Sequence, residues 1–135
     1  MTESKIIKIA AAVITDDSGR LLLVRKRGTP YFMQPGGKIE PGEEPQATLV
    51  RELKEELNLV ISPEDLTPLG MFTEVAANEP GYELQASMFI LDKQPANIQA
   101  EAEIEEVYWL SPEEVSCKPL APLTENKIIP LVWKF

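Results

Sequence analysis

A loop rich in glycine and proline, followed at once by an amphipathic helix, is the feature that most restricts the fold of this chain. The loop occupies residues 27–44, and Pro45 suits the first turn of a helix, where a missing N–H costs nothing. Apolar spacing predicts that this helix covers residues 45–57, with one face formed by Leu49, Val50, Leu53 and Leu57. A helix with one apolar face must pack against another layer of structure.

The remaining residues alternate apolar strands with turns. Strands are predicted over residues 5–14 and 21–24. A turn at residues 16–19 joins them as a predicted hairpin. Further strands are predicted over residues 68–75, 82–91 and 106–110, with a turn at residues 78–81. Ser111 and Glu114 have the spacing of a capping box, and a last helix is predicted over residues 124–132, where Pro130 shortens or bends it. The mixture predicts an α/β sandwich in a single domain spanning residues 1–135.

The charge and the cysteine content narrow the class of protein. The formal charge of −9 argues against a nucleic-acid polymer as partner, because phosphate backbones repel an acidic surface. Cys117 is the one cysteine, which leaves no internal disulfide and fits a reducing compartment. The N-terminal residues carry charges at Glu3, Lys5 and Lys8, and no apolar run reaches the ~20 residues that span a bilayer. We therefore expect a soluble, cytoplasmic protein with a small-molecule ligand.

Three glutamates stand close together on the predicted helix. Glu52, Glu55 and Glu56 occupy positions i, i+3 and i+4, so they project from one side, which we expect to lie away from the leucine stripe. Hard oxygen ligands packed in this way suit Mg²⁺ or Mn²⁺. Taken alone, the helix is also compatible with a solvated acidic face that has Arg51 and Lys54 as loose partners.

The loop and the helix together form a longer pattern. Gly37, Glu43 and Arg51 precede the glutamates at fixed spacing, so that residues 37–59 read G-x5-E-x7-R-E-L-x-E-E-x-N-L. This pattern closely resembles the Nudix box. Asn58 stands where that box usually has glycine, at a helix end that turns left-handed; asparagine tolerates this conformation best among the other residues, at a small cost in stability.

The resemblance implies a fold and a reaction. The expected fold is an α/β/α sandwich with a central mixed β-sheet that carries the loop and helix. The expected reaction is metal-dependent hydrolysis of a nucleoside diphosphate linked to another moiety, with Mg²⁺ as the cofactor and Mn²⁺ as a substitute. Because the chain contains no histidine, the general base must be a carboxylate.

The resemblance also implies roles for the matched residues. Glu52, Glu55 and Glu56 hold the metal, and Glu56 is also the candidate base. Arg51 orients a glutamate by ion pairing, and Glu43 supports the site from the loop. The backbone carbonyl of Gly37, or that of Gly36, is a further candidate ligand.

Weaker features are similar to the MutT-type branch of the family, which hydrolyses nucleoside triphosphates, including oxidised purine ones. Glu103, with Glu101 as second choice, matches a distal glutamate that approaches the metal. Asn126 matches a base-reading asparagine, whose amide offers both a donor and an acceptor. Arg25 and Arg27 follow the second strand and are candidates to contact terminal phosphates. For each of these residues, an ordinary surface or helical role stays open.

Three functional hypotheses follow. The first is hydrolysis of a nucleoside triphosphate to a monophosphate and pyrophosphate. The second is hydrolysis of ADP-ribose or a nucleotide sugar, which residues 75–77 disfavour because they lack the proline or tyrosine found in some such subgroups. The third is a non-catalytic nucleotide sensor, against which the intact glutamate set argues. Whether the apolar residues 6–14 form a homodimer interface or a core strand stays open.

Overall fold

Seven strands lie in two sheets in the computed structural model, which describes residues 5–77, 79–92, 95 and 97–133. The first sheet has the order β4-β1-β6-β5 and the second has the order β3-β2-β7. Only the β1–β6 pair is parallel among these described strands, so the larger sheet is mixed. The strands are β1 (Lys5–Val13), β2 (Leu21–Lys26), β3 (Phe32–Met33), β4 (Gly36–Lys38), β5 (Leu66–Val75), β6 (Tyr82–Leu91) and β7 (Ile104–Leu110).

The main helix, α1, spans Pro45–Leu57 as its apolar spacing predicts. Short 3₁₀ helices follow at Pro63–Asp65 and Pro112–Cys117, the second with the predicted capping box. Near the end of the chain a π-helical turn, Thr124–Ile128, leads into α2, Ile129–Val132. The wider turn lies directly before Pro130, whose ring would clash with the carbonyl four residues earlier in a regular α-helix. Among the described residues, no helix is long and apolar enough to cross a bilayer.

The second half of strand β1, Ala10–Val13, is buried on both of its faces. Ala10, Ala12 and Ile14 pack in one cluster with the leucines of α1. Ala11 and Val13 pack in a second cluster, which includes residues 123, 128 and 129 of the C-terminal helical segment. Because successive strand residues point to opposite faces, β1 forms part of both clusters. The layers are therefore helix, sheet and helix, which confirms the expected α/β/α sandwich.

The predicted hairpin is present only at its closed end. Thr15 and Leu21 form an antiparallel bridge and the Leu22 N–H donates to the Ile14 carbonyl at 2.8 Å, but β1 and β2 belong to different sheets. The turn at residues 16–19 is present, with Ser18 and Arg20 donating backbone N–H groups to the Asp16 carboxylate at 2.9 Å. Strand β1 already has β4 on one edge and β6 on the other, so β2 pairs instead with β3 and β7. The predicted loop over residues 27–44 also contains β3 and β4. Met1–Ser4 and Asn78, the first residue of another predicted turn, lie outside the described residues.

Candidate active site

Helix α1 ends in the left-handed turn that the sequence predicts. Asn58 has φ 55° and ψ 31°. The N–H of Leu59 donates to the Leu53 carbonyl at 3.2 Å, and the N–H of Asn58 donates to the Lys54 carbonyl at 3.0 Å. These bonds close the helix end and turn the chain back, so that Leu59 and Ile61 are buried under α1.

The three glutamates of α1 do not share one environment. Glu56 is 1% exposed, whereas the Glu55 side chain is 54% exposed and Glu52 lies between them in exposure. The expectation that all three lie away from the leucine stripe is therefore wrong for Glu56. It stands three residues after Leu53 and seven after Leu49, which places it on the buried face.

The buried Glu56 carboxylate has one protein hydrogen bond. The backbone N–H of Gly36 donates to its Oε1 at 3.3 Å, while its buried Oε2 has no hydrogen-bond partner among the described residues. Burial raises the pKa of the Glu56 carboxyl to about 8; the Lys26 ammonium opposes this shift, and the charges of Glu52 and Glu103 add to it. A carboxyl with this pKa accepts and releases a proton near neutral pH.

The raised pKa predicts that the metal-free protein loses stability as the pH rises. The folded Glu56 carboxyl keeps its proton to about pH 8, whereas its ordinary pKa is 4.5. Its stabilising effect is thus complete below about pH 4.5 and is lost as the pH rises through 8, by an amount on the order of 3–5 kcal/mol. Urea unfolding in EDTA at pH 5, 7 and 9 should show this fall, and Glu56→Gln should lack it. Equal pH slopes in both proteins would contradict the prediction.

Arg51 lies at the centre of an ion-paired network. Its Nε donates to Glu43 Oε2 at 3.0 Å and its Nη2 to Glu43 Oε1 at 2.9 Å, a two-point contact. Its Nη1 donates to Glu52 Oε1 at 2.9 Å. Hydrogen bonds from Arg51, from the Thr48 hydroxyl and from the Glu40 N–H lower the pKa of Glu43 to about 2. The expected ion pairing of Arg51 is present. That it orients a glutamate for metal binding stays a prediction.

Gly37 leaves room for the Glu52 carboxylate. A Cβ on Gly37 would lie 2.4 Å from the Glu52 carboxyl carbon and 2.4 Å from its Oε1. The same carboxyl is partly desolvated, and burial raises its pKa despite the contact with Arg51. The absence of a side chain at Gly37 is therefore what allows strand β4 and this carboxylate to lie against each other.

The donor groups fit a hard divalent cation by their chemistry. Two hard oxygen donors lie next to glycines, where no side chain blocks an ion. They are Glu56 Oε2, which lacks a hydrogen-bond partner among the described residues, and the Glu52 carboxylate beside Gly37. They do not form a ready-made cluster, because no three carboxylates among the described residues are placed to hold one ion. Arg51 Nη1 lies 2.9 Å from Glu52 Oε1 and 3.8 Å from Glu55 Oε2, so these two carboxylates face the guanidinium.

The chain segment before β7 lies against the end of α1. The N–H of Glu101 donates to the Glu56 carbonyl at 2.8 Å, and the N–H of Gln99 donates to the Leu57 carbonyl at 3.0 Å. Glu103 Oε1 lies 3.3 Å from Lys26 Nζ, and the Glu103 charge acts on the Glu56 carboxyl. The structure therefore places Glu103 near the α1 glutamates. Whether it binds a metal stays a prediction.

Of the three cations at the end of β2, Lys26 lies nearest to the site, although the sequence suggested its neighbours. Arg25 donates to Glu106 at 3.3 Å and to the Thr29 carbonyl at 3.1 Å, and Arg27 donates to Glu105 at 3.1 Å. Strand alternation could have identified Lys26. Residues 22 and 24 pack in the cluster that includes the α1 leucines, and every second residue of a strand points to the same side, so residue 26 also points toward α1.

A cavity of about 130 Å³ adjoins these residues. Lys26, Gly36 and Gly37 line it, together with apolar side chains of β1 and β6 and with residues 75–77 and 121–124. Asn126 is not among the lining residues: it is exposed and donates to Glu74 Oε2 at 3.1 Å. Besides Lys26, the polar side chains that line the cavity are the ion pair of Lys38 and Glu79, 3.6 Å apart, and two residues that sequence reasoning did not single out, Gln34 and Thr124.

Comparisons with known proteins agree with this arrangement. The chain is 39% identical to the 8-oxo-dGTP diphosphatase of Haemophilus influenzae over 62 residues, which are 43% of this chain and 46% of that protein, so the match spans about half of the relative. It is 31% identical to the CTP pyrophosphohydrolase of Escherichia coli over 136 residues, covering 97% and 92% of the two chains. The solution structure of the E. coli ORF135 protein is similar, with a TM-score of 0.71, 29% identity and coverage of 96% and 87%. The sequence model of the NUDIX domain matches residues 6–132. The resemblance drawn from residues 37–59 is thus confirmed, and the chain belongs to the NUDIX domain family.

Proposed function

We propose that this chain is a pyrophosphohydrolase that cleaves a nucleoside triphosphate to a nucleoside monophosphate and pyrophosphate, with Mg²⁺ as cofactor. The observation that carries the proposal is the buried Glu56 carboxylate, which lies beside glycines that line a cavity and whose Oε2 has no hydrogen-bond partner in the described part of the chain. A buried carboxyl with one oxygen lacking a hydrogen-bond partner and with a raised pKa costs stability, and such groups cluster at functional sites.

The residues of the site have different roles in the proposed reaction. Glu52, Glu55 and Glu56 would hold the divalent cation that Nudix hydrolases generally use, with the carbonyl of Gly37 as a further candidate ligand. The bound cation neutralises phosphate oxygens and acidifies water. Glu56 accepts a proton from the attacking water, whose oxygen forms a bond to phosphorus as the anhydride P–O bond breaks. Pyrophosphate leaves with the electron pair of that bond.

The supporting residues fix the position of the carboxylates. Arg51 contacts Glu43 at two points and Glu52 at a third, which holds the loop against α1. This arrangement supports a role in orientation for Arg51 and Glu43 rather than contact with substrate. The Glu103 charge acts on the Glu56 carboxyl, and Glu103 Oε1 lies 3.3 Å from the Lys26 ammonium.

The proposed function is tested by a panel of substrates with Mg²⁺. Nucleoside triphosphates, 8-oxo-dGTP, ADP-ribose and a nucleotide sugar are supplied separately, and released pyrophosphate and monophosphate are measured. We expect pyrophosphate release from the triphosphates, lost in EDTA and restored by Mg²⁺ or Mn²⁺. Cleavage of ADP-ribose alone would replace the proposed substrate class, and cleavage of no member would refute hydrolysis.

Neutralising Lys26 should weaken substrate binding more than neutralising either neighbouring arginine. Lys26 lines the cavity, and its ammonium, which lies 3.3 Å from Glu103 Oε1, can also contact a phosphate oxygen there, whereas Arg25 and Arg27 lie outside the lining and pair with β7 carboxylates. We expect Lys26→Met to raise KM by roughly 10- to 100-fold, the worth of one charge-assisted hydrogen bond. Arg27→Met, at the exposed end of the strand, should change KM less than threefold. Steady-state kinetics on the best triphosphate checks both values, and the reverse order would restore Arg27 as the phosphate contact.

A further inference from the structure

Gln34 is a buried polar side chain that the proposed reaction does not use. It follows β3, is 5% exposed and lines the cavity. The hydroxyl of Thr124, itself fully buried, donates to Gln34 Oε1 at 2.7 Å. The amide nitrogen, Nε2, has no hydrogen-bond partner within the part of the chain that the structure describes. A buried amide donor without a partner is uncommon in folded proteins and calls for an explanation.

The surroundings of this amide suit a flat, mostly apolar ligand group. Ile7, Ile9 and Leu84 line the same cavity from β1 and β6, and residues 75–77 line it from the end of β5. Lys26 and Gly37 also line it, and both lie beside the glutamates described above. A nucleotide whose phosphates lie near Lys26 and Gly37 would therefore place its base among these apolar side chains, next to Gln34.

We propose that Gln34 selects the nucleobase by donating a hydrogen bond from Nε2 to a carbonyl oxygen of the base. This inference rests on the proposed function and names the substrate class within it. The Thr124 hydroxyl donates to Oε1, which leaves Nε2 as the end of the amide that has no partner among the described residues. Guanine, cytosine and uracil carry a carbonyl oxygen and adenine does not. The cavity therefore favours GTP, CTP and UTP over ATP.

The test compares bases rather than total activity. The wild-type protein and Gln34→Met, a substitution of similar size without a donor, are assayed on GTP, CTP, UTP and ATP. We expect Gln34→Met to lower kcat/KM by roughly 10- to 100-fold on the triphosphates with a carbonyl-bearing base, and less than threefold on ATP. Gln85→Met is the matched control, because Gln85 bonds to Glu83 and is not among the residues that line the cavity.

A second variant guards against a folding defect. Gln34→Met alone leaves the Thr124 hydroxyl without its partner, whereas the double variant with Thr124→Val replaces both partners by apolar groups and should keep the wild-type Tm. The double variant should show the same base-selective loss. A uniform loss on all four triphosphates, no loss, or a wild-type preference for ATP would each overturn the inference.

Binding separates this inference from the proposed function. Calorimetric titration with GMP, CMP and AMP needs no hydrolysis. Weaker binding of GMP and CMP, but not of AMP, to Gln34→Met would support base selection even if no triphosphate were cleaved. If the wild-type protein hydrolyses triphosphates and Gln34→Met hydrolyses each of them at the wild-type rate, the proposed function would be retained and the role of Gln34 refuted.

Discussion

Glu56→Gln is expected to lower kcat by about 10²- to 10⁴-fold, the range typical of losing a general base. The amide keeps an oxygen that can accept the Gly36 N–H, which is 3.3 Å from the carboxylate in the native protein. It can neither take up a proton as the carboxylate does nor neutralise a divalent cation. The measurement is steady-state hydrolysis of the best triphosphate at saturating Mg²⁺, with pyrophosphate release as the readout.

The stability of this variant distinguishes a chemical loss from a folding defect. The native carboxylate is buried with one oxygen lacking a hydrogen-bond partner, so the neutral amide should make the metal-free protein at pH 9 more stable, not less. Glu64→Gln is the matched control, because Glu64 is exposed on the 3₁₀ helix Pro63–Asp65 and should leave both activity and stability unchanged. Full activity of Glu56→Gln would refute the proposed role of Glu56 as base.

The layers of this fold and the position of its main helix were predictable because each depends on local pattern. Pro45, the leucine spacing and Asn58 define α1 at both ends, and all three features are present in the structure. The pairing of strands was not predictable in the same way. The division of β1 and β2 between two sheets depends on β6 and β7, which lie far along the chain and fill the available edges.

The candidate site likewise has features that local sequence predicts and features that depend on distant parts of the chain. The spacing of Glu43, Arg51 and Glu52 reflects contacts within one loop and one helix, and the structure has those contacts. The burial of Glu56 follows from the layer that covers α1, which charge spacing alone does not reveal. Gln34 and Thr124 are 90 positions apart and meet only in the folded protein, so no sequence pattern indicated that pair.

Alanine substitutions at the two adjacent glycines of β4 should have different effects, one on stability and the other on activity. A Cβ on Gly36 would lie 2.1 Å from the Ala10 carbonyl oxygen and 2.7 Å from the Ala11 Cα, and the residue has φ +153°. Both contacts are with the β1 backbone at Ala10 and Ala11, which are buried, so relieving them requires a shift of packed main chain. We expect Gly36→Ala to lower the free energy of unfolding by about 3 kcal/mol or more, through overpacking and backbone strain.

Gly37→Ala should spare the fold and damage the site. Its Cβ would meet the carboxyl end of Glu52, at 2.4 Å from both Cδ and Oε1, and that end of a flexible side chain can turn away. The expected change in unfolding free energy is therefore within about 1 kcal/mol. Displacing Glu52 also disturbs its 2.9 Å contact with Arg51. We expect a loss of about 10- to 100-fold in Mg²⁺ affinity or activity, as for other groups that position metal ligands.

Thermal unfolding in EDTA and Mg²⁺ titration of activity measure the two effects separately. Gly36→Ala should lower Tm by roughly 10 °C or more, and Gly37→Ala by much less. Raising the Mg²⁺ concentration should restore part of the activity of Gly37→Ala, because the displaced carboxylate weakens the ion's binding rather than removing a proton acceptor. If Gly37→Ala retained native Mg²⁺ dependence, the Glu52 carboxylate would not belong to the metal site. If Gly36→Ala unfolded at the native temperature, the close approach of β4 to β1 would not limit the residue at that position.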